Sequence, residues 1–157
     1  MAEFINIAAK AGVDGILTLD LPPEEADEYE KLMSDAGLCS IWLVAPTTPE
    51  ERIAEIAVRG NGFIYYISRE GVTGMQQNVA VNMEAATAVI RKHTKLPIAV
   101  GFGISNPEQA RQVAACSDAV VVGSAIVNQI AEHGAESNLP ERVGAFVKTL
   151  VDAIKKN

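Results

Sequence analysis

Short runs of β-branched and aromatic residues alternate along the chain with longer segments whose apolar positions recur at helical spacing. Apolar runs of about four to eight residues are typical of buried strands, and recurrence at every third and fourth position is typical of surface helices. The pattern predicts strands at 13–19, 40–45, 62–67, 97–103 and 118–122. It predicts a leading helix at 3–11 and later helices at 24–36, 49–58, 82–93, from about 107, at 124–131 and at 140–156.

Two helix starts carry strong local signals. Thr48 stands before Pro49 and two glutamates, which predicts an N-cap, a proline at the first helical position and acids in the first turn. The run Ser105-Asn106-Pro107-Glu108 predicts a second start of the same kind. These boundaries fix where two of the predicted strands must already have ended.

The order of elements indicates an α/β fold. Each predicted strand is followed by a helix, and strict alternation with apolar strands is typical of a parallel sheet covered by helices. We expect a single domain over residues 1–157, which is either an open doubly wound sheet or a partial (β/α)8 TIM barrel. Length favours the open sheet, because a complete barrel needs about 250 residues. The motifs favour the partial barrel, with five parallel strands and outer helices.

Composition narrows the choice of partners. The net charge of −7 argues against nucleic acid, since proteins that bind it usually carry a basic face. No apolar run reaches about 18 residues, so we expect no membrane span, and MAEFINIAAKAG does not have the pattern of a signal peptide. A cytoplasmic protein is therefore expected. No cluster of cysteine and histidine suggests a metal site.

Paired glycine turns at two successive strand ends are the sharpest chemical signal. The first is Gly101-Phe102-Gly103-Ile104-Ser105 and the second is Gly123-Ser124-Ala125-Ile126-Val127. A glycine there lets backbone N–H groups approach an anion, and a short helix starting at Ser124 would direct its positive end to the same point. One such turn is more simply a tight connection. Two turns with a short extra helix are typical of the phosphate site after strands seven and eight of a barrel.

A polar, glycine-containing loop follows the strand at 62–67. It runs from Ser68 through Arg69-Glu70-Gly71-Val72-Thr73-Gly74 to about Asn78. Long loops at the functional end of a barrel can close over a substrate, so this loop is a candidate lid. A merely mobile connection explains it equally well. In either case we expect residues 70–79 to be poorly ordered without ligand.

Further candidates lie at other strand ends. Asp20 follows the strand at 13–19, where a lone carboxylate can be catalytic or can order its own loop through backbone hydrogen bonds. The bulky apolar residues Leu17, Leu43, Tyr65 and Phe102 could line a flat pocket for an aromatic group. Core packing is the simpler explanation of any one of them taken alone.

Together these pieces resemble the tryptophan synthase alpha chain family. The matching stretches are AGVDGILTLDLPPEE, the helix at Pro49, YYISREGVTG, LPIAVGFGISNPEQA and DAVVVGSAIV. The resemblance implies strands four to eight of a barrel, preceded by its third helix. It also implies retro-aldol cleavage of indole-3-glycerol phosphate to indole and glyceraldehyde 3-phosphate in tryptophan biosynthesis. The implied partner is a beta chain that carries pyridoxal phosphate, and no cofactor is implied for this chain.

The resemblance assigns roles to individual residues. It implies phosphate binding by Gly74, Gly103, Gly123 and Ser124, and a pocket for indole and glycerol lined by Leu17, Leu43, Tyr65 and Phe102. Thr73 would be the lid threonine that contacts a catalytic aspartate on closure. The family's general acid and base, a glutamate and an aspartate near strand two, are expected upstream of this chain. No residue here is therefore assigned as catalytic, and we expect the chain alone to be inactive.

Two other functions remain open at this point. The chain could be a non-catalytic module that binds a phosphate ligand or the beta chain, or another phosphate-binding barrel enzyme, although the SREGVTG loop counts against the latter. A barrel opened after three strands would also expose two apolar sheet edges, at 13–19 and 118–122. Neither edge carries the lysines or prolines that protect natural edges. We therefore expect copies of the chain to self-associate.

Overall fold

A computed structural model describes residues 1–68, 76–101 and 103–155, with the backbone alone described at 76–81. Within these residues, five strands follow one another: β1 Gly15–Leu17, β2 Cys39–Val44, β3 Ile64–Ile67, β4 Ile98–Gly101 and β5 Ala119–Val121. The helices are α1 Ala2–Lys10, α2 Asp27–Asp35, α3 Glu50–Arg59, α4 Gln76–His93, α5 Pro107–Ala114, α6 Ser124–His133 and α7 Leu139–Ile154. A single 3-10 turn, Pro23–Glu25, precedes α2.

The strands form one parallel sheet in the order β1-β2-β3-β4-β5. The sheet curls into a half-barrel with the helices outside it, which confirms the predicted parallel order and the partial barrel. β1 and β5 are the two edges, and each has only three residues.

The main core lies between the outer face of the sheet and the helices. One row across the sheet joins Trp42, Ile64 and Ile98 in register, and all three are buried. Helix residues that include Ile53, Ile90, Val113 and Leu150 pack against this row and its neighbours. A second cluster joins α1 to α2 through Ile5, Ala8, Tyr29, Met33 and Leu38.

The inner face of the sheet is less covered. Leu43, Tyr65, Ala99 and Ala119 form the next row in register, and Leu43 and Tyr65 are half-buried. Ile64, the residue before Tyr65, lies on the other face of the sheet: it is 0% exposed and belongs to the outer core. Every position of β3 is apolar, so no alternation of apolar and polar residues indicates which side chains lie on the outer face of the sheet.

Four of the five strands are two to four residues shorter than predicted, and the starts of three helices also differ from the prediction. The helix expected at 24–36 is divided, because the chain turns tightly after Pro22 and Pro23, and α2 begins only at Asp27. Thr48 is not the N-cap of α3: its Oγ1 accepts a hydrogen bond from the Ala45 N–H at 3.0 Å, and Pro49 takes the cap position. α4 begins at Gln76, earlier than the expected 82, since glutamine is compatible with a helix.

Across the residues that are described, no helix is both long and apolar enough to cross a bilayer. Within the same residues, no group of histidine, cysteine and acidic side chains is placed to hold a metal ion.

Candidate phosphate site at the strand ends

Two glycines lie at the same level beyond neighbouring strands. Gly101 of β4 pairs in register with Val121 of β5. Gly103 and Gly123 each follow two residues later along their own strand. Since the carboxyl ends of parallel strands share one edge of the sheet, the two turns stand side by side, as the sequence predicted.

Gly103 has a backbone conformation that favours glycine. Its φ of 65° lies in the left-handed region, and a Cβ built at this position meets nothing within 4 Å. Other residues are therefore disfavoured here by the backbone conformation and not by a lack of space for a side chain. The turn leads into α5, whose N-cap Asn106 accepts a hydrogen bond from the Gln109 N–H.

Gly123 caps the start of α6. Its carbonyl accepts the first helical hydrogen bonds, from the N–H groups of Ile126 at 3.0 Å and Val127 at 3.1 Å. No side chain caps this helix, and both Gly123 and Ser124 are exposed. The first N–H groups of a helix lack internal partners and carry its positive end, so this terminus can receive an anion.

Three apolar side chains named by the sequence analysis lie on the inner face of the same sheet. Leu17, Leu43 and Tyr65 are half-buried there, and burial raises the pKa of the Tyr65 hydroxyl above its ordinary value. A Cβ built at Gly101 would lie 2.8 Å from Tyr65 Oη, 2.7 Å from Val121 Cβ and 2.9 Å from the Val121 carbonyl oxygen. Gly101 is therefore required for packing, a role that the sequence analysis did not assign when it named Gly101 as the first residue of the turn. The sequence nevertheless held a signal for this role, since a glycine inside a strand often marks the close approach of a neighbouring group.

Several predicted site residues are not among those that the structure describes. Thr73, Gly74 and Phe102 lie outside the described residues, as do residues 70–75 of the candidate lid, while its last residues, 76–79, belong to α4. Asp20 is exposed after β1, and its carboxylate makes no hydrogen bond to the residues that are described. The loop is tied down instead by Thr18, whose hydroxyl donates to Tyr29 Oη at 3.1 Å.

Charged groups elsewhere are engaged in surface ion pairs. Arg52 donates hydrogen bonds to both carboxylate oxygens of Glu24, and these bonds lower the pKa of Glu24 to about 2. Asp118, at the start of β5, accepts from the Ile98 N–H and from Arg91, each at 2.8 Å. These contacts join one β/α unit to the next and lie away from the glycine turns.

Comparison with known proteins decides the family. The family model described as tryptophan synthase alpha chain matches residues 1–155. This chain belongs to the tryptophan synthase alpha chain family. The tryptophan synthase alpha chain of Opitutus terrae is 54% identical over 154 residues, which are 98% of this chain and 58% of that relative. The alpha chain of Geotalea uraniireducens is 48% identical over 153 residues, or 98% of this chain and 57% of that relative.

Solved structures of the tryptophan synthase family agree with the fold. Tryptophan synthase subunit alpha from Legionella pneumophila superposes with a TM-score of 0.84 at 38% identity, covering 98% of this chain and 56% of that one. A structure of the tryptophan synthase α2β2 complex from Pyrococcus furiosus matches with a TM-score of 0.84 at 33% identity, covering 96% of this chain and 60% of that one. The chain therefore spans somewhat under two thirds of the length of these tryptophan synthase relatives.

Proposed function

We propose that this chain supplies the phosphate-binding half of an enzyme that cleaves indole-3-glycerol phosphate to indole and glyceraldehyde 3-phosphate in tryptophan biosynthesis. One observation carries the proposal. In a member of the tryptophan synthase alpha chain family, two exposed glycine turns, at Gly103 and Gly123, stand at neighbouring strand ends with an uncapped helix beginning at Ser124.

The phosphate group would be bound mainly by backbone. In this proposal the N–H groups of Gly103, Gly123 and Ser124, which follow neighbouring strand ends, bind the phosphate oxygens, and the α6 terminus adds a favourable dipole. Open space around both glycines leaves room for the phosphate oxygens. In our proposal Gly74 completes this site from the lid, and Thr73 is the lid residue that reaches toward the reaction centre.

The indole ring would lie against the apolar inner face. Leu17, Leu43 and Tyr65 are half-buried there and line one side of the half-barrel, and in our proposal Phe102 adds a further flat surface. A flat, apolar wall with a phosphate site at one end suits a substrate that is aromatic at one end and anionic at the other.

Catalysis requires groups that we place outside this chain. A retro-aldol cleavage needs an acid to protonate the indole carbon and a base to remove the hydroxyl proton next to the breaking bond. The described row of inner-face residues, Leu43, Tyr65, Ala99 and Ala119, offers no carboxylate. General acid–base groups contribute about 10²–10⁴-fold in rate, so the chain alone should not turn over substrate.

The proposed macromolecular partner is a tryptophan synthase beta chain. The Pyrococcus furiosus protein with the same fold is described in an α2β2 complex. Pyridoxal phosphate would belong to the beta chain, which consumes the indole, and this chain would need no cofactor of its own.

One alternative function accounts equally well for the absence of a carboxylate from the described inner row. The chain could bind a phosphorylated ligand or the beta chain without contributing to chemistry in any assembly. The two functions differ in one measurable property, namely whether indole is released once the rest of the barrel is supplied.

Calorimetric titration tests the binding step that both functions share. We expect glycerol 3-phosphate to bind the chain and glycerol not to bind. Gly123→Val should abolish binding, because a β-branched side chain would occupy the approach of the anion, whereas Val58→Ala on the exposed face of α3 should leave it unchanged. Equal affinity of the parent chain and Gly123→Val for glycerol 3-phosphate would contradict the proposed site.

A further inference from the structure

We infer that Asn61 is a site of spontaneous deamidation, at which the backbone nitrogen of Gly62 attacks the side-chain amide and converts the residue to aspartate and isoaspartate. Both residues are exposed, and they lie in the connection between α3, which ends at Arg59, and β3, which begins at Ile64. The reaction needs only water as a co-reactant, and it involves no part of the proposed phosphate site.

The side-chain amide of Asn61 is held by the beginning of β2. Its Oδ1 accepts a hydrogen bond from the Ser40 N–H at 2.6 Å, and the Asn61 N–H donates to the Ser40 carbonyl oxygen at 3.3 Å. Ser40 is only 4% exposed, so this contact is largely shielded from water. A backbone N–H that donates to a carbonyl oxygen also stabilises the negative charge that the oxygen gains when its carbon is attacked. The contact with Ser40 therefore prepares the amide for attack.

The backbone nitrogen of Gly62 is the nucleophile. Its N–H donates no hydrogen bond to the residues that the structure describes, and glycine has no Cβ to obstruct the approach to the preceding side chain. The fold also requires this glycine: its φ is 90°, and an added Cβ would lie 2.9 Å from Ile41 Cδ1 and 3.0 Å from Cys39 Cβ. Packing at the turn therefore retains the residue that makes the asparagine reactive.

The bond changes in this reaction balance without an oxidant or a reductant. The Gly62 nitrogen gives its proton to solvent and forms a bond to Asn61 Cγ, and the Cγ–Nδ2 bond breaks as ammonia leaves with a proton from solvent. A cyclic imide then joins the two residues. Water opens the imide by breaking the bond of the Gly62 nitrogen either to Cγ, which gives aspartate, or to the main-chain carbonyl carbon of residue 61, which gives isoaspartate.

The two products differ in what they do to the turn. Aspartate keeps an oxygen at the position of Oδ1, so the Ser40 N–H retains its acceptor. Isoaspartate moves a methylene from the side chain into the main chain, which lengthens the connection before β3 and displaces the pairing with Ser40. The buried Ser40 N–H would then lack a partner, and an unpaired buried backbone group is destabilising. Isoaspartate, but not aspartate, should therefore lower the midpoint of urea unfolding.

Other asparagines of the chain are internal controls. Asn61 is the only asparagine in the sequence that a glycine follows. The side chain of Asn106 also accepts a hydrogen bond from a backbone N–H, but Pro107 follows it and has no N–H to lose. Asn6 and Asn128 lie within α1 and α6, where the N–H of the next residue is bonded inside the helix. These three asparagines should stay intact while Asn61 reacts.

Peptide mapping by mass spectrometry locates the reaction. The folded 157-residue chain is incubated at several pH values from neutral to mildly alkaline, and isoaspartate is measured with an isoaspartate-specific methyltransferase. We expect conversion at Asn61 and none at Asn106. The rate should rise about tenfold per pH unit, because the reactive form is the deprotonated Gly62 amide. Conversion of other asparagines while Asn61 stays intact would overturn the inference.

A variant and a peptide separate the chemistry from the contribution of the fold. Asn61→Gln moves the amide carbon one methylene away from the Gly62 nitrogen, so isoaspartate formation should be lost. Residue 61 is changed instead of Gly62 because a side chain at Gly62 would strain the fold. A peptide of residues 57–66 holds the same pair without Ser40 and should react no faster than the folded chain. Equal isoaspartate in Asn61→Gln, or a peptide that reacts about tenfold faster than the folded chain, would overturn the inference.

Discussion

Replacing Gly101 with alanine should destabilise the chain, although only one methyl group is added. The new Cβ would lie 2.7 Å from Val121 Cβ, 2.8 Å from Tyr65 Oη and 2.9 Å from the Val121 carbonyl oxygen. The last of these atoms is backbone in a paired strand and cannot rotate away. Overpacking of this kind costs about 1–3 kcal/mol.

Gly123→Ala is the matched control on the neighbouring strand end. Its φ is −110°, and an added Cβ there meets nothing within 4 Å. We therefore expect its free energy of unfolding to stay within about 0.5 kcal/mol of the parent value. The two variants add the same atom at neighbouring strand ends and differ in what that atom contacts.

Urea unfolding followed by circular dichroism measures the difference. We expect a lower midpoint for Gly101→Ala with an unchanged slope, and a fall in melting temperature of roughly 2–4 °C per kcal/mol. Adding Tyr65→Phe should recover part of the loss, because it removes the Tyr65 hydroxyl oxygen, one of the three close atoms. A Gly101→Ala chain as stable as Gly123→Ala would refute the reasoning.

Four further outcomes are expected. Ile64→Ala should cost about 2–5 kcal/mol of stability in urea unfolding, since Ile64 is fully buried in the outer core; a loss near zero would place it elsewhere. Hydrogen bonding to Arg52 lowers the pKa of Glu24 from 4.5 to about 2. The contribution of this ion pair to stability is therefore complete above pH 4.5 and lost as the pH falls toward 2. In Arg52→Gln, the pKa of Glu24 measured by NMR titration should rise. Gly103→Ala should cost about 1–2 kcal/mol, because its φ of 65° strains an alanine; an unchanged midpoint would contradict this. The purified chain should self-associate at micromolar concentration, as measured by light scattering, and should release no indole from indole-3-glycerol phosphate. A monodisperse monomer would contradict the first expectation. Clear indole release would contradict the second and would make Asp20 the first candidate for the acid–base role.

The order of the sheet could be predicted because it depends on a simple repeat. Each apolar run is followed by a helix, and connections between parallel strands place the next strand beside the last. The two glycine turns could be predicted for the same reason, since the sequence shows where each strand gives way to a helix. Position along the chain alone put Gly103 and Gly123 side by side.

The face of the sheet on which each strand residue lies, and the close contacts it makes there, could not be predicted. β3 is apolar at every position, so nothing in its sequence distinguishes Ile64, in the outer core, from Tyr65 on the inner face. The need for Gly101 arises from Tyr65 and Val121, which lie on the two neighbouring strands and far from it in the chain. The Thr48 hydroxyl could likewise cap α3 or order the turn before it. In the structure it accepts a hydrogen bond from the Ala45 N–H and does not cap the helix.

Backbone NMR of the chain during titration with glycerol 3-phosphate tests the central claim most directly. The account predicts saturable shifts of the amide signals of Gly103, Gly123 and Ser124, with smaller changes at the start of α5 and none in α2 or α3. Glycerol at the same concentrations should leave these signals in place. Saturable shifts elsewhere, or none at these three amides, would contradict the assignment of this chain as the phosphate-binding half of the enzyme.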